Sequence, residues 1–405
     1  MITLIDGGVC APLGFRANGI HCGIRKNKTK KDLALIVSDV PASCASVYTT
    51  NLVKGAPITV TKKNIEDGVA RAIICNSGNA NTCNFDGIEK AEKMCQLTAD
   101  ALGISPSDVV VASTGVIGMP LDVKPIEMGM EVLVAGLGKH SEYAAKAIMT
   151  TDTRMKEIAV KFEIGGVKCK IGGIAKGSGM IHPNMATMLV FITTDCAISP
   201  EMLCKALSLD IKDTFNMVSV DGDTSTNDMV AVMANGMAGN TPIENENDPE
   251  FIKFRAALNA VTVNLCRMIA GDGEGATKLL ECTVSGAKTK EDAKIAAKSV
   301  ICSSLVKSAM FGSDANWGRI LCALGYSGAD IDVNGVNVSF RSAKGVVDVC
   351  KNGSGIEFSE EKAKEVLLEE EIYIDVVLSD GDFGATAWGC DLTYDYVKIN
   401  GDYRT

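Results

Sequence analysis

Apolar residues recur at a helical spacing in several stretches of the chain. Residues 88–102 have this spacing and are followed by Gly103, a residue typical of helix C-termini. Capping residues predict three further helices, and in two of them a proline occupies the first helical position. These helices begin after Ser199, Asp248 and Thr289, and they run through Leu207, to Gly271 and towards Val306, respectively.

Shorter apolar runs predict strands. The clearest runs are residues 70–74, 109–112, 158–162, 188–192 and 372–378. Strands and helices alternate, and several neighbouring strands look antiparallel. We therefore predict layered mixed sheets with helices, an α/β (α+β) fold rather than a doubly wound parallel sheet. The polar stretch 241–248 is predicted to be a solvated loop.

Composition limits the classes of partner. Hydrophobic residues make up 46% and charged residues 22% of the 405 residues, which is typical of a globular protein. The net charge of -10 and the lack of a basic stripe argue against a nucleic-acid partner. No apolar run approaches the roughly 20 residues of a membrane span, and the start does not resemble a targeting sequence. We expect a cytoplasmic protein of two or three lobes, with no membrane partner.

Cysteine and histidine give no indication of a metal site. The fifteen cysteines are odd in number, and no two are spaced like a zinc knuckle or a redox pair. We interpret most of them, including Cys204 and Cys266, as reduced core residues. The three histidines are too few and too scattered to predict a metal site or a serine–histidine–aspartate triad.

One turn has the layout of a self-processing nucleophile. A glycine- and proline-containing segment runs from Lys176 to Ala186, and an apolar strand follows Thr187 at once. The turn lets the Thr187 hydroxyl attack the carbonyl of Ala186, and the freed α-amine then lies beside that hydroxyl. An α-amine has a pKa of about 7.7–8.0 and acts as a base without histidine. The local pattern alone favours the alternative, a glycine-rich loop that leads into an ordinary core strand.

Residues 176–189 resemble the cleavage signature of the ornithine acetyltransferase family, which includes bifunctional glutamate N-acetyltransferases. Other segments that resemble this family occur in order along nearly the whole chain. They are residues 14–17, 49–51, 76–81, 113–118, 150–153, 221–228, 271–278, 314–319 and 391–400. A chance match to one glycine-rich loop does not produce the other segments.

The resemblance implies a self-processing fold of the N-terminal-nucleophile type. It implies cleavage between Ala186 and Thr187 into fragments 1–186 and 187–405, which stay intertwined in one folded unit. Two copies of each fragment would form a heterotetramer. The implied activity is transfer of the acetyl group of N-acetylornithine to glutamate through an acetyl-Thr187 intermediate, a step of arginine biosynthesis. No cofactor is implied, and acetyl-CoA is a candidate co-substrate that the sequence does not decide.

The resemblance also implies roles for individual residues. Thr187 would be the nucleophile, and Thr114 and Gly115 would form the oxyanion hole. The substrate-binding residues implied by the family are Thr153, Lys176, Thr187, Glu274, Asn400 and Thr405. We hypothesise that Lys176 binds the α-carboxylate and Glu274 the cationic end of ornithine. Without the resemblance, Thr114 and Gly115 are a polar turn, Lys176 is a solvated surface charge and Thr405 ends a disordered tail.

Two residues depart from the family pattern, and two other functions stay open. Leu52 stands where a polar or basic residue is expected, and His182 where alanine is frequent. We interpret His182 as a turn residue upstream of the cut. The alternatives are a self-cleaving aminopeptidase or amidohydrolase with water as acceptor, and a non-catalytic protein that binds amino acids.

Overall fold

The computed structural model describes residues 1–182 and 188–402. Within them the strands are β1 (Thr3–Ile5), β2 (Phe15–Ile20), β3 (Leu33–Tyr48), β4 (Val69–Asn79), β5 (Val109–Val116), β6 (Lys156–Ile164), β7 (Val167–Lys176), β8 (Leu189–Thr194), β9 (Val218–Ser219), β10 (Met229–Ala234), β11 (Leu279–Ala287), β12 (Asn337–Ser342), β13 (Gly345–Lys351), β14 (Ser354–Gly355), β15 (Glu371–Val377) and β16 (Phe383–Cys390).

The helices in the same part of the chain are α1 (Ala56–Asn64), α2 (Gly87–Leu102), α3 (Lys124–Ala135), α4 (Ser141–Ile148), α5 (Pro200–Ile211), α6 (Pro249–Gly271), α7 (Lys290–Cys302), α8 (Ser304–Phe311), α9 (Trp317–Gly325), α10 (Glu360–Leu367) and α11 (Tyr394–Asp402). Short 3-10 turns occur at Gly8–Cys10, Pro106–Asp108, Phe215–Met217 and Val333–Gly335.

Two mixed sheets organise these elements, which confirms the predicted layered α/β fold. The nine-stranded sheet has the order β1-β6-β7-β8-β10-β3-β4-β5, and β2 pairs with β3 beside it. The seven-stranded sheet has the order β14-β13-β12-β15-β11-β16-β9. The β8–β10 and β4–β5 pairs are parallel, whereas β7–β8 and β3–β10 are antiparallel.

The long helix α6 joins the two sheets through one hydrophobic core. It packs against β6 and β7 of the first sheet and against β11 and β16 of the second. Phe254, Leu258 and Leu265 of this helix are fully buried. The opposite face of the first sheet is covered by α4, and its β5 end by α1 and α2. Helices therefore pack against both faces of the first sheet.

The capping residues predicted three helix starts correctly. Ser199 accepts a hydrogen bond from the backbone N–H of Met202 at the start of α5, and Asp248 accepts one from Glu250 at the start of α6. Thr289 accepts one from Asp292 at the start of α7. The helix predicted at 88–102 is α2, and Gly103 ends it in the left-handed conformation with φ +67°.

Two expectations were wrong. The helix predicted from 290 towards 306 stops at Cys302, because Ser303 is extended and caps the separate helix α8 through its side chain. Cys204 is exposed on α5 rather than part of the core, whereas Cys266 is buried as expected. All fifteen cysteines are free, and ten of them are buried.

The stretch 241–248 forms a loop as predicted, although Ile243 within it is buried and makes a single bridge to Ile198. Across residues 1–182 and 188–402, we find no helix with the length and apolar character of a bilayer-spanning segment.

Candidate active site

The end of strand β5 carries the two residues predicted to form an oxyanion hole. Thr114 is buried and lies opposite Ser77 of the parallel strand β4, and Gly115 lies opposite Gly78. Gly115 has φ +134°, and a Cβ atom there would lie 2.3 Å from the carbonyl carbon of Gly78. Any side chain at Gly115 would therefore clash with backbone, so the close approach of the two strands requires glycine.

A buried amide fixes the residue before Thr114. The Asn227 side chain donates hydrogen bonds to the carbonyl oxygens of Ala80 at 2.6 Å and Ser113 at 3.0 Å. Its oxygen accepts from the hydroxyls of Thr82 and Thr226. Sequence reasoning gave Asn227 no role, although it lies in the family-like stretch 221–228. The one local feature of the sequence that could have indicated a role for Asn227 is its position between a polar turn and the apolar strand β10.

Lys176 lies at the end of β7, beside the end of β5 that carries Thr114. Its Nζ donates to Oγ1 of Thr114 at 3.3 Å, so the Thr114 hydroxyl proton can point towards another acceptor. Lys176 also pairs with Leu189 in the antiparallel β7–β8 ladder. The structure thus brings two of the predicted site residues together. The alternative of a solvated surface lysine is wrong for Lys176, because its side chain is partly buried and its ammonium group donates a hydrogen bond to Thr114.

Thr187 and Ala186 lie outside the described residues, and so do Pro183, Asn184 and Met185. The residues on either side are both held by one segment. The His182 carbonyl accepts a hydrogen bond from the Thr224 hydroxyl at 2.8 Å. The Met188 carbonyl accepts one from the backbone N–H of Met229 at 2.9 Å. The stretch from Thr224 to Met229 therefore fixes both flanks of the predicted cleavage site.

The side chain of His182 is also anchored. Its Nδ1 lies 3.0 Å from Oγ of Ser219 and 3.6 Å from Sγ of Cys302. Burial, with a smaller contribution from Lys298, lowers the pKa of His182 to about 4, so the imidazole is neutral at pH 7. It lines a cavity of about 710 Å³ together with Lys298 and Cys302.

A buried ionic network connects the loop around Thr153 to the rest of the site. Lys156 Nζ lies 2.7 Å from Asp152 and 2.5 Å from Asp272, and all three side chains are almost completely buried. Asp152 also accepts the backbone N–H of Gly177 at 2.7 Å, next to Lys176. Burial alone would raise the pKa of Asp152, but Lys156, Lys176 and these hydrogen bonds outweigh it and hold that pKa well below its usual value.

Thr153 belongs to this network. Its hydroxyl and its backbone N–H both donate to Asp272, so the side chain is held by the protein. Thr153 lines a cavity of about 480 Å³ with Asp395 and Lys398. Among the described residues, no hydrogen bond or ion pair joins Thr153 to Lys176 or Glu274. Thr153 is linked to the backbone next to Lys176 through Asp272, Lys156 and Asp152.

Glu274 and Asn400, far apart in the chain, contact each other. Asn400 Nδ2 donates to Oε2 of Glu274 at 2.9 Å. The Glu274 backbone N–H donates to the Ser178 carbonyl at 2.8 Å. A Cβ atom at Gly179 would lie 2.3 Å from the Glu274 carboxyl carbon, so the glycine admits this carboxylate against the turn that precedes the predicted cut. Thr405 lies outside the described residues.

Comparison with known proteins assigns the chain to a family. The ArgJ family matches residues 16–405. The chain belongs to the ArgJ family. It is 53% identical to the arginine biosynthesis bifunctional protein ArgJ of Caldanaerobacter subterraneus subsp. tengcongensis over the full length of both. It is also 53% identical to ArgJ 1 of Clostridium acetobutylicum, over 96% of each chain.

A solved ArgJ structure has the same fold. The crystal structure of the arginine biosynthesis bifunctional protein ArgJ from Bacillus halodurans is 45% identical, with a TM-score of 0.50. The match covers 98% of that chain and 53% of this one. Membership of the ArgJ family confirms the predicted resemblance and the class of enzyme, an acetyltransferase of arginine biosynthesis. It supports neither a peptidase nor a non-catalytic binding protein.

Proposed function

We propose that the chain cuts itself between Ala186 and Thr187, and that Thr187 then transfers the acetyl group of N-acetylornithine to glutamate. One observation carries the proposal. Thr114 and Lys176 meet at the strand end that adjoins Met188, the residue bonded to Thr187. An oxygen nucleophile at Thr187 would thus have a hydroxyl donor and a cation within the same corner of the sheet.

The self-cleavage step needs only groups of the chain and water. The Thr187 oxygen attacks the Ala186 carbonyl, the C–N bond breaks, and the hydroxyl proton ends on the new amine. Water then hydrolyses the ester, which leaves the Ala186 carboxylate and the free Thr187 hydroxyl. The fixed flanks at His182 and Met188 support this step, because they hold the two ends of the reacting segment.

Two observations support fragments that stay together. The β7–β8 and β3–β10 ladders each pair a strand before the cut with a strand after it. The chain of the Bacillus halodurans structure aligns along nearly its whole length with only about half of this chain, which is what a chain of one fragment would do. We further propose that two copies of each fragment assemble into a heterotetramer in the cytoplasm.

In acetyl transfer, the Thr187 oxygen forms a bond to the acetyl carbon while its proton passes to the α-amine. The amide bond of N-acetylornithine breaks, and the leaving nitrogen takes that proton. Glutamate then attacks the ester carbonyl through its neutral amine, and the ester C–O bond breaks. The proton that the glutamate nitrogen loses passes through the α-amine to the Thr187 oxygen. Negative charge on the acetyl oxygen faces the Thr114 hydroxyl and the Gly115 N–H, and such donors contribute roughly 2.7–4 kcal/mol each.

The charges of Lys176 and Glu274 are opposite to those of the amino-acid part of the substrate. We propose that Lys176 binds the α-carboxylate, and that Glu274, held by Asn400, binds the cationic end of ornithine. Thr153 and Thr405 complete the substrate site. We propose no cofactor, and acetyl-CoA as a second donor of the acetyl group.

Intact-mass spectrometry tests the proposal. The wild-type protein should give two masses that sum to the full chain plus one water, and N-acetylornithine should add one acetyl group to the second fragment. Thr187→Ala should stay whole and inert, and Thr187→Ser is the matched control that should still cut. Parallel double-reciprocal plots should accompany turnover. An uncut wild type with full activity would refute the proposal.

A further inference from the structure

A cavity of about 710 Å³ lies along helix α7, and we call it the α7 cavity. Its volume is typical of small-molecule sites, which measure about 300–1,000 Å³. The structure describes four of the predicted substrate-binding residues, and none of them lines this cavity. They are Thr153, Lys176, Glu274 and Asn400. The α7 cavity is therefore distinct from the proposed substrate site.

Helix α7 contributes six residues to the lining. These residues recur at intervals of three positions and one position, so they share one face of the helix. They are Glu291, Lys294, Ile295, Lys298, Ser299 and Cys302. The opposite face of α7, which includes Ala297 and Val300, is buried, and the helix packs against β11 and β16. The core thus holds α7 in place, and its other face is available to a ligand.

The rest of the described lining comes from three parts of the chain. The end of α5 and the turn after it contribute Lys212, Asn216 and Met217, and the end of α9 contributes Tyr326 and Ser327. His182 and Thr224 complete the lining.

Lysines determine the charge of the α7 cavity. Three lysines line it, whereas one carboxylate, Glu291, does so among the described residues. Asp213, outside the lining, pairs with Lys294 at 2.6 Å and also with Lys290. With these two neighbours included, four lysines face two carboxylates. The whole chain has a net charge of -10, so this local excess of positive charge indicates an anionic ligand.

Lys298 is well placed to contact such an anion. Its Nζ donates to the carbonyl oxygen of Asn216, which is also a lining residue. Burial lowers the pKa of Lys298 to about 8, with a smaller opposing contribution from Cys302. The ammonium form still predominates at pH 7. A bound anion would offset the free-energy cost of burying this charge.

The charge and the apolar surface of the cavity suit a phosphorylated molecule. The excess of two positive charges matches a phosphate group, which carries about −1.5 to −2 at pH 7. Lysine binds phosphate as a point charge, and no arginine occurs among the described lining residues. Met217 and Ile295 add apolar surface, and Tyr326 offers an aromatic ring that is 61% exposed. An organic group attached to the phosphate could pack against these side chains.

We propose that the α7 cavity binds a phosphate-bearing small molecule of nucleotide size, with the phosphate on Lys298 and the organic part against Ile295 and Met217. This inference does not depend on self-cleavage or on acetyl transfer. Two sources share this chemistry, a free nucleotide and the nucleotide part of coenzyme A, and the experiment separates them.

The test is calorimetric titration of the purified protein with ADP in magnesium-free buffer. The wild type should bind ADP with a Kd below about 1 mM, and adenosine, which lacks phosphate, at least about tenfold more weakly. Lys298→Met removes the charge and should weaken ADP binding at least about tenfold. Lys298→Arg keeps the charge and should retain most of the affinity.

Three other variants serve as controls. Lys288→Met is the matched control, because Lys288 pairs with Asp330 and does not line the cavity, and its Kd for ADP should equal that of the wild type. Glu291→Gln removes a negative charge from the lining and should tighten ADP binding. Lys212→Met changes an exposed lysine of the lining and should weaken binding about twofold or more, which preserves the test if Lys298→Met does not fold.

Titration with coenzyme A separates the two sources. An equal loss of affinity for coenzyme A and ADP in Lys298→Met supports the nucleotide part of coenzyme A as the ligand. Unchanged binding of coenzyme A with weakened ADP supports a free nucleotide. The proposal is overturned if the wild type binds neither ADP nor coenzyme A at about 1 mM. It is also overturned if adenosine binds as tightly as ADP, or if Lys298→Met binds ADP as well as Lys288→Met does.

Discussion

The two sides of the candidate site are built differently. Thr114, Gly115 and Lys176 lie at the ends of paired strands in the nine-stranded sheet, where the ladders and Asn227 fix the backbone. Glu274 lies in a loop after α6, and Asn400 lies on α11, a helix with no buried residue. We call Thr114, Gly115 and Lys176 the strand side of the site. Glu274 and Asn400 form the loop side.

The difference matches the work that each side is proposed to do. Stabilisation of an oxyanion depends on donors that are already in place before the reaction, which a paired strand end provides. Recognition of an amino-acid side chain needs a charge of the right sign and tolerates more adjustment. We therefore expect changes on the strand side to lower kcat and changes on the loop side to raise KM.

The largest effect is expected at the buried ionic network of Asp152, Lys156 and Asp272, which adjoins Lys176 through the backbone of Gly177. Asp152→Asn removes one partner of the buried Lys156 while Asp272 remains. Loss of a partner from a buried ion pair costs about 3–5 kcal/mol, which denaturant unfolding would measure. Asp39→Asn, which breaks the exposed pair with Arg16, is the control and should cost less than about 1 kcal/mol. Equal losses of unfolding free energy in the two variants would show that the buried network stabilises the fold no more than the exposed ion pair does.

The same network should give a pH signature. The pKa of Asp152 is lowered in the folded protein, so the folded state binds its proton less readily than the unfolded state. The resulting stabilisation is fully present above the usual pKa of 3.8 and is lost as the pH falls towards the lowered value. The difference in unfolding free energy between wild type and Asp152→Asn should be constant from about pH 7 to 5 and shrink below about pH 4. A difference that grows with acid would contradict this assignment.

On the strand side, Thr114→Val should lower kcat by about 10²–10³-fold, since it removes one oxyanion donor and keeps the shape of the side chain. Steady-state kinetics of the cut enzyme would measure this loss, and thermal unfolding would check that the fold is intact. Thr114→Ser, which keeps the hydroxyl, is the control and should retain most of the activity. A valine variant with raised KM and normal kcat would place Thr114 in substrate binding instead.

On the loop side, Glu274→Gln should raise KM for N-acetylornithine by at least about tenfold and leave kcat nearly unchanged. Glutamine can still accept the hydrogen bond from Asn400 but loses the charge, and a hydrogen bond to a charged group contributes about 1.5–3 kcal/mol. The exposed Glu357→Gln is the control. If kcat falls instead while KM stays constant, the contrast between the two sides fails.

The smallest effect is expected at a helix cap outside the two sides of the site. Ser303→Ala removes the side-chain cap of α8 and should cost about 1 kcal/mol of stability. Ser304→Ala, one residue along, should change stability by less than about 0.5 kcal/mol. Thermal unfolding would measure both, and activity at room temperature should not change. A loss of turnover in Ser303→Ala would connect this helix to the site.

The sequence alone predicted much of this protein through local signals. The caps at Ser199 and Asp248 contact residues two or three positions away, so their helices could be located without the fold. The family-like segments pointed to Thr114, Gly115 and Lys176, and their proximity now agrees with that grouping. The break at Ser303 was missed, because the apolar spacing continues across it.

Only the tertiary structure decided which polar groups meet. Asn227 reaches Ser113 across 114 positions of the chain, and Lys156 reaches Asp272 across 116. Buried polar groups must find partners, but the partner is set by which strands become neighbours. Sheet order is a property of the whole chain, since it depends on how all the apolar faces are buried together. For this reason the contacts of Asn227 at the site could be identified only in the fold, although the residue lies in a family-like segment.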